Sequence, residues 1–545
     1  MAASTSDSSP SADSLSAADA RWAVVVVAAA ALAVGLVAAP YKAFDLDRFF
    51  VPKELALHVG ALLLGAIALR RRSRIGYSGV DLLLALYLGL GVLSALFAPN
   101  HWLAARSLAV TWSSLVVFWS VTAVAAGRPG VARAVTAVLV AAVLAVVATA
   151  LAQAYGVDSV LFSTNRAPGG TLGNRNFVAH LAAIAAPLLL VAAVGARGRL
   201  VRVAATLGLA VASGMLVLSR TRAAWLALAA CVVVLLPGVW RARARWQVTG
   251  MRRRLAFIVV VVAATVAAAV FAPNDLSWRS RSPYLDTMKS VAEYSAGSGR
   301  GRLVQYTNTL KLALRHPLLG VGPGNWPVAY PAAVPGDDPS LDQATGMTAN
   351  PWPSSDWMAF VSERGVPAAG LLVLAFLALL GDAGRRMFGA RDLHDFLRGL
   401  ALAAVVIATA VVGAFDAVLL LPAPAFIVFA ALGALRGPPA RRALALAPGA
   451  RRGLLAGVVL IGAAAAARAA LMTDAMRHYE HGQWITAARE DPGSYRIQLA
   501  LAEAAQERGR CDLVRVHAGA ARALFPDAPI PRRLLAGCGW SAPRR

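Results

Sequence analysis

The chain has 545 residues, 58% of them hydrophobic, and a formal net charge of +25. A soluble domain of this length has no interior able to hide so much apolar surface, so composition points to an all-α, polytopic integral membrane protein. Most of the positive charge falls in short loops between apolar runs, which is how topology signals are distributed, and this excludes nucleic acid as its explanation.

The first twenty residues are rich in Ser, Ala and Asp, with Asp7, Asp13 and Asp19 and no basic residue before Arg21. They predict a disordered cytoplasmic N-terminus over 1–21 rather than a cleaved signal peptide. Trp22 to Ala39 reads as the first membrane helix. Further spans are expected at roughly 54–69, 79–97, 104–126, 131–154, 177–194, 203–219, 223–240 and 255–272. A polar interruption occupies 273–357, after which spans resume at roughly 358–380, 396–413, 417–435 and 453–471. A re-entrant pair is the alternative over 396–435.

Alternate loops hold Arg70, Arg71, Arg72 and Arg74, then Arg128, then Arg197, Arg199 and Arg202. The same side continues with Arg241, Arg243, Arg245 and Arg252 to Arg254, then Arg385, Arg386 and Arg391, and ends with Arg436, Arg441, Arg442, Arg451 and Arg452. The positive-inside rule puts these in the cytoplasm. The long loop and the 474–545 tail are then extracytoplasmic. In the tail, GSYRIQLALAEAAQERGR and CDLVRVHAGAARALFPDAP have helical apolar spacing. They suggest one or two degenerate tetratricopeptide-like repeats, with a plain helical hairpin as the alternative. Cys511 and Cys538 can pair as a disulfide if the tail is outside, and Cys231 is a packing residue in an apolar helix. No metal site is expected from these spacings.

Arginines on the outer face are not topology signals, so they carry the functional reading. Arg220 and Arg222 lie in LSRTRAAWLAL, where one span turns directly into the next. Such arginines face a polar cavity or an anion, or snorkel to headgroups. The long loop adds Arg279, Arg281, Arg300, Arg302 and Arg315, with Arg302 opening a segment of helical spacing. GVGPGNW follows, where Gly320, Gly322 and Gly324 can bring backbone N–H groups to an anion or simply end a helix. NPWPSSDWMAFVSERG closes the loop and offers Ser354, Ser355, Asp356 and Glu363 for acceptor binding, with helix capping expected of one serine. Upstream, NRAPGGTLGNRNFVAHLAA carries Arg166, Asn174, Asn176 and His180, with Asn174 or Asn176 able to cap the helix, and FDLDRFFVPKELAL places Lys53 at a membrane edge.

Taken in order, these segments resemble the O-antigen ligase and polymerase superfamily over about residues 40 to 435. FDLDRFFVPKELAL, GGTLGNRNFVA (against a TGTFGNPNFLA-like pattern), LSRTRAAWL, Arg302 in GRLVQY and the PLLGVGPGN turn each match a family segment. The ligases also keep a His near the end of the long loop. Counting that motif back from Gly365 puts Ser354 at the His position, so this chain lacks it. The departure favours the polymerase or a divergent exopolysaccharide branch over lipid A-core ligation. The resemblance implies glycan transfer from an undecaprenyl-diphosphate donor to a glycan or lipid acceptor hydroxyl, on the outer face of the bacterial inner membrane, with no cofactor, nucleotide sugar or required metal. It implies Arg222 and Arg302 as catalytic diphosphate ligands, with Arg220 and Lys53 in support, and Asp356 or Glu363 as the acceptor's base. Asn174, Asn176, Gly322, Gly324 and Ser354 are expected to bind substrate. Membrane lipids and polysaccharide-assembly proteins, the latter through the tail, are the other expected partners. A lipid-linked oligosaccharide flippase and a non-catalytic assembly scaffold are the competing readings. No repeat symmetry between the halves supports a transporter.

Overall fold

The computed structural model describes residues 15–70, 72–242, 250–278, 280, 282–289, 297–437 and 442–539. Asp7, Asp13, Arg71, Arg243, Arg245, Arg279, Arg281 and Arg441 lie outside them. The helices run in the order α1 (Ala17–Leu36), α2 (Asp47–Leu69), α3 (Gly79–Leu96), α4 (His101–Ala125), α5 (Pro129–Ala154), α6 (Arg175–Gly195), α7 (Arg199–Ser219), α8 (Arg222–Ala242) and α9 (Met251–Phe271). The long loop carries α10 (Pro283–Lys289), α11 (Gly297–Arg315) and the short α12 (Trp326–Ala329). Then come α13 (Asp356–Gly389), α14 (Leu393–Phe415), α15 (Pro422–Arg436) and α16 (Pro448–Glu480). The tail adds α17 (Trp484–Glu490), α18 (Tyr495–Glu507), α19 (Cys511–Leu524) and α20 (Pro529–Gly537).

Among the described residues, 12 helices are long and apolar enough to cross a membrane. The protein is therefore an all-α, polytopic membrane protein, as its composition requires. At 1.5 Å per residue α15 is too short to span about 30 Å of hydrocarbon by itself. Every residue of α15 is buried, so protein rather than lipid surrounds it. That environment tolerates the non-helical stretch 416–421 that precedes it. Arg398 near the start of α14 donates to the carbonyls of Leu435 (2.9 Å) and Ala434 (2.6 Å) at the end of α15. The two helices thus run antiparallel, with the start of α14 beside the end of α15.

The loops sort onto two faces. On one, Arg436 pairs with Asp81 at 2.8 Å, and strand β1 (Arg74–Tyr77) pairs antiparallel with β2 (Arg442–Ala445), clasping two arginine-rich loops. The opposite face, here the loop face, carries α10 to α12, the 416–421 segment and the tail. The tail is docked rather than tethered. Asn100 donates to the Leu524 carbonyl at 3.0 Å, Ala43 N–H donates to Glu480 at 2.8 Å, and Phe44 and Val51 pack with Met472, Met476, Ala487 and Ile497. A disulfide joins Cys511 to Cys538.

One break in a membrane helix organises the loop face. Within α13, Gly365 adopts φ 81°, ψ 166°, which interrupts the helix. The segment 317–322 runs alongside and satisfies the freed groups. Val321 N–H donates to Ser362 O and Gly322 N–H to Glu363 O, both at 2.9 Å, while Val366 N–H donates to Pro317 O at 2.8 Å. A Cβ at Gly365 would lie 2.2 Å from the Leu318 carbonyl oxygen, so both the positive φ and the close approach require glycine there.

Candidate functional site on the loop face

The turn that follows has its own anion. Gly322 and Gly324 hold φ of 100° and 69°, and Gly324 N–H donates to Glu363 Oε2 at 2.8 Å. Trp326 N–H reaches Glu363 Oε1 at 3.4 Å. The glycine turn does bind a carboxylate, and that carboxylate belongs to α13. Asp356 is engaged in the same manner. It accepts from the N–H groups of Val418 (3.0 Å), Leu419 (2.9 Å) and Leu420 (3.4 Å), and so pairs the non-helical backbone before α15. Both carboxylates are buried and hold backbone in place. Ser355 is the N-cap of α13, accepting from Met358 N–H at 3.4 Å.

Lys53 is also turned inward. Fully buried, its ammonium donates to the carbonyls of Val37 and of Thr171 (2.9 Å), tying α2 and the end of α1 to the turn before α6. Asn174 caps α6, accepting from Asn176 N–H at 3.0 Å.

The arginines behave differently. Arg175 and Arg220 both lie against the Trp278 ring, with guanidinium carbons 5.1 and 4.7 Å from its centroid. Arg175 also feels the charges of Arg220 and Arg166. Arg220 Nε donates to Thr287 Oγ1 at 2.7 Å, so α10 helps hold it. Burial lowers the pKa of Arg220, while Asp286 and Tyr284 oppose that shift. Among the described residues none of Arg166, Arg175, Arg220 and Arg302 has a carboxylate within ion-pair distance. Like charges gathered without such partners, three of them half-buried and Arg166 exposed, favour an anionic ligand.

Arg220 is the only non-glycine residue at positive φ among those described, with φ 55° at the end of α7. A side chain in that region costs roughly 1 kcal/mol. Such strain collects at functional sites. Arg220→Gly is therefore expected to melt higher than Arg220→Ala, since both lose the guanidinium and only glycine relieves the backbone. Thermal unfolding of the two purified variants checks this, and equal melting temperatures would contradict it.

A hydrogen-bonded chain continues from Arg220. Thr221 Oγ1 donates to Asn176 Oδ1 and Asn176 Nδ2 donates to Asp416 Oδ2, each at 3.1 Å. Asp416 and Arg302 both act electrostatically on His180, one turn beyond Asn176. His180 is fully buried, and neither ring nitrogen has a hydrogen-bond partner among the described residues. The helix bearing Arg302 is fixed one turn later, where Tyr306 O–H donates to the Ser354 carbonyl at 2.6 Å. Ser354 N–H in turn donates to Gln305 Oε1 at 2.7 Å. Ser354 thus reaches α11 through its backbone. Arg222 begins α8 beside this chain, half-buried and engaged in contacts of its own.

Arg220 and Asn176 therefore share one network, with Arg302 within electrostatic reach of His180 beside it, whereas Lys53, Asn174, Asp356, Glu363, Gly322 and Gly324 hold backbone around it. Sequence reasoning missed Arg175, which stands where the family pattern has proline, and Asp416, a lone acid inside an apolar run. A default suspicion of ionisable residues within membrane segments would have found Asp416. It also missed Arg364, buried in α13, which donates to Tyr87 Oη at 2.6 Å and Thr111 Oγ1 at 2.7 Å and braces α13 against α3 and α4.

Fold and site define a multi-pass helical membrane protein whose arginines converge on one face beneath a structured loop. The family model described as O-antigen ligase matches residues 207–373, from α7 through the middle of α13, a stretch that includes Arg220, Arg222 and Arg302. Over those residues the chain is similar to the O-antigen ligase family, which supports the resemblance read from the sequence. No curated protein matches the chain. The match, with the apolar helices, supports a multi-pass bacterial inner-membrane protein of glycan processing, a type that works on a lipid-linked glycan among membrane lipids.

Proposed function

We propose that the protein transfers a glycan from undecaprenyl diphosphate to an acceptor hydroxyl on the outer face of the membrane. Arg175 and Arg220 gathered on Trp278, with Arg302 within electrostatic reach of His180 and none of the three in an ion pair among the described residues, carry this reading. Guanidiniums supply permanently charged, bidentate donors that suit a diphosphate. In the transfer the acceptor oxygen attacks the anomeric carbon of the donor's first sugar. The bond from that carbon to the phosphate oxygen breaks, and undecaprenyl diphosphate leaves with the electron pair. The arginines stabilise the charge that develops on it, a task that needs no metal here. Asp416, oriented by Asn176 at 3.1 Å, takes the hydroxyl proton. Asp356 and Glu363, saturated by backbone N–H groups, hold the site in shape instead.

Orientation rests on the lysine and arginine distribution and on the disulfide, which belongs in an oxidising compartment. The tail's helices are read as degenerate tetratricopeptide-like repeats and as a surface for polysaccharide-assembly proteins. A membrane-impermeant maleimide applied to intact spheroplasts is expected to label Cys511 and Cys538 only after reduction. Labelling that requires permeabilisation would contradict the orientation. With a separation of 27 residues, reducing the disulfide should weaken the tail by about 3.5 kcal/mol.

The transfer itself is tested with purified protein in liposomes supplied with undecaprenyl-diphosphate glycan and acceptor polysaccharide. Release of undecaprenyl diphosphate together with lengthened glycan is expected, and intact donor after prolonged incubation would overturn the proposal.

A further inference from the structure

Next to the arginine cluster lies a cavity of about 440 Å³ whose character is different. Its floor comes from α2, α4 and the 349–352 segment of the long loop, and its outer wall from the tail. We propose that this cavity binds a sugar chain and holds the acceptor glycan, the second half of which rests on the transfer reading above. Its volume falls in the range of small-molecule sites, about 300–1,000 Å³.

The lining argues for an uncharged, hydroxylated ligand. Arg106 pairs with Asp47 and with Glu54, both at 2.8 Å, and Arg468 faces Asp491 at 3.4 Å. Glu363 is taken by the glycine turn. The exposed Asp45 and Arg496 have opposite signs. With five carboxylates against three guanidiniums, the lining has no surplus positive charge for a diphosphate, unlike the arginine cluster. A guanidinium beside a carboxylate still presents donors and acceptors side by side, the pairing that neighbouring sugar hydroxyls need. Trp352, Phe50, Tyr495 and Phe525 add aromatic faces for the apolar side of a sugar ring.

Position supports the acceptor assignment. Trp352 lines the cavity, and its ring lies 6.5 Å from that of Phe177, the residue after Asn176 in the arginine-side network. Arg166 of the arginine cluster donates to Asn350 Oδ1 at 3.4 Å, between two residues that line the cavity. The 349–352 segment is thus a shared partition between a cationic region and a cavity without surplus positive charge. Two substrates of one transfer reaction need such an arrangement. The tail supplies Asp491, Gly493, Ser494, Tyr495, Arg496 and Phe525, so its docking completes the site.

The test uses full-length protein in nanodiscs. The probe is lipid-free surface polysaccharide, released by mild acid from the source cells, with binding read by thermophoresis. Trp352→Ala and Tyr495→Ala should each weaken binding about tenfold, the loss expected on removing an aromatic anchor. Trp352→Phe should restore most of it, and Arg302→Ala should bind as the parent does. Hydrogen–deuterium exchange of the parent protein should show the polysaccharide protecting 491–496, a readout independent of whether any variant folds. No binding by the parent, or parental affinity in both alanine variants, would overturn the cavity assignment. Intact binding by a protein that transfers nothing would support the cavity and overturn the transfer reading instead.

Discussion

Arg302→Ala is expected to lower the transfer rate about 10²- to 10³-fold, the usual loss on removing one preorganised donor from a developing charge. The reasoning starts from where Arg302 sits. It is half-buried near the start of α11, within electrostatic reach of His180, and has no ion pair among the described residues. Charge on the leaving diphosphate is greatest in the transition state, so the loss should fall mainly on kcat rather than KM. Arg302→Lys should recover only part of the rate, because an ammonium does not reproduce the planar fork. Stability should change little, because no carboxylate is left unpaired. A variant that melts as the parent does and transfers at the parental rate would remove Arg302 from the mechanism.

Asp356→Ala should act on stability instead. Its carboxylate accepts three backbone N–H groups from 418–420, and leaving buried donors unpaired costs about 1–3 kcal/mol each. Because Leu420 N–H, at 3.4 Å, is the weakest of the three, a total loss of about 3 kcal/mol is expected, read as poor yield and a lowered melting temperature. Asp356→Asn keeps the shape and one carbonyl acceptor, so it should retain most of the stability and most of the transfer. A normally folded Asp356→Asn without activity would return Asp356 to the role of base.

Much of the fold was legible because membrane helices write themselves into sequence as apolar runs, and arginines mark the face to which each loop belongs. Arg220 was legible for a related reason, as a charge that the topology signal did not require. The frame of the site was not. Nothing in PLLGVGPGN says which anion its N–H groups will hold, because Glu363 lies 39 residues beyond Gly324 and reaches it only through the break at Gly365. Asp356 reads from the sequence as a base because an acid at a helix mouth has either use, and its contacts with 418–420 come from a segment far along the chain. Asp416 and the tail-walled cavity depend on contacts between segments far apart in the chain, the kind of information that periodicity does not carry. Nothing in the structure explains why serine stands at the histidine position of Ser354. That residue holds α11 through its backbone, while its neighbour Ser355 caps α13.

The most direct measurement places the lipid-linked donor in cells that lack the gene and carry either the parent or Arg302→Ala. Transfer at the arginine cluster predicts short surface glycan in the variant, with undecaprenyl-diphosphate glycan accumulating in the outer leaflet, open to an added glycosidase. Donor confined to the cytoplasmic leaflet would mean that the protein moves the lipid rather than consuming it, and would contradict the account.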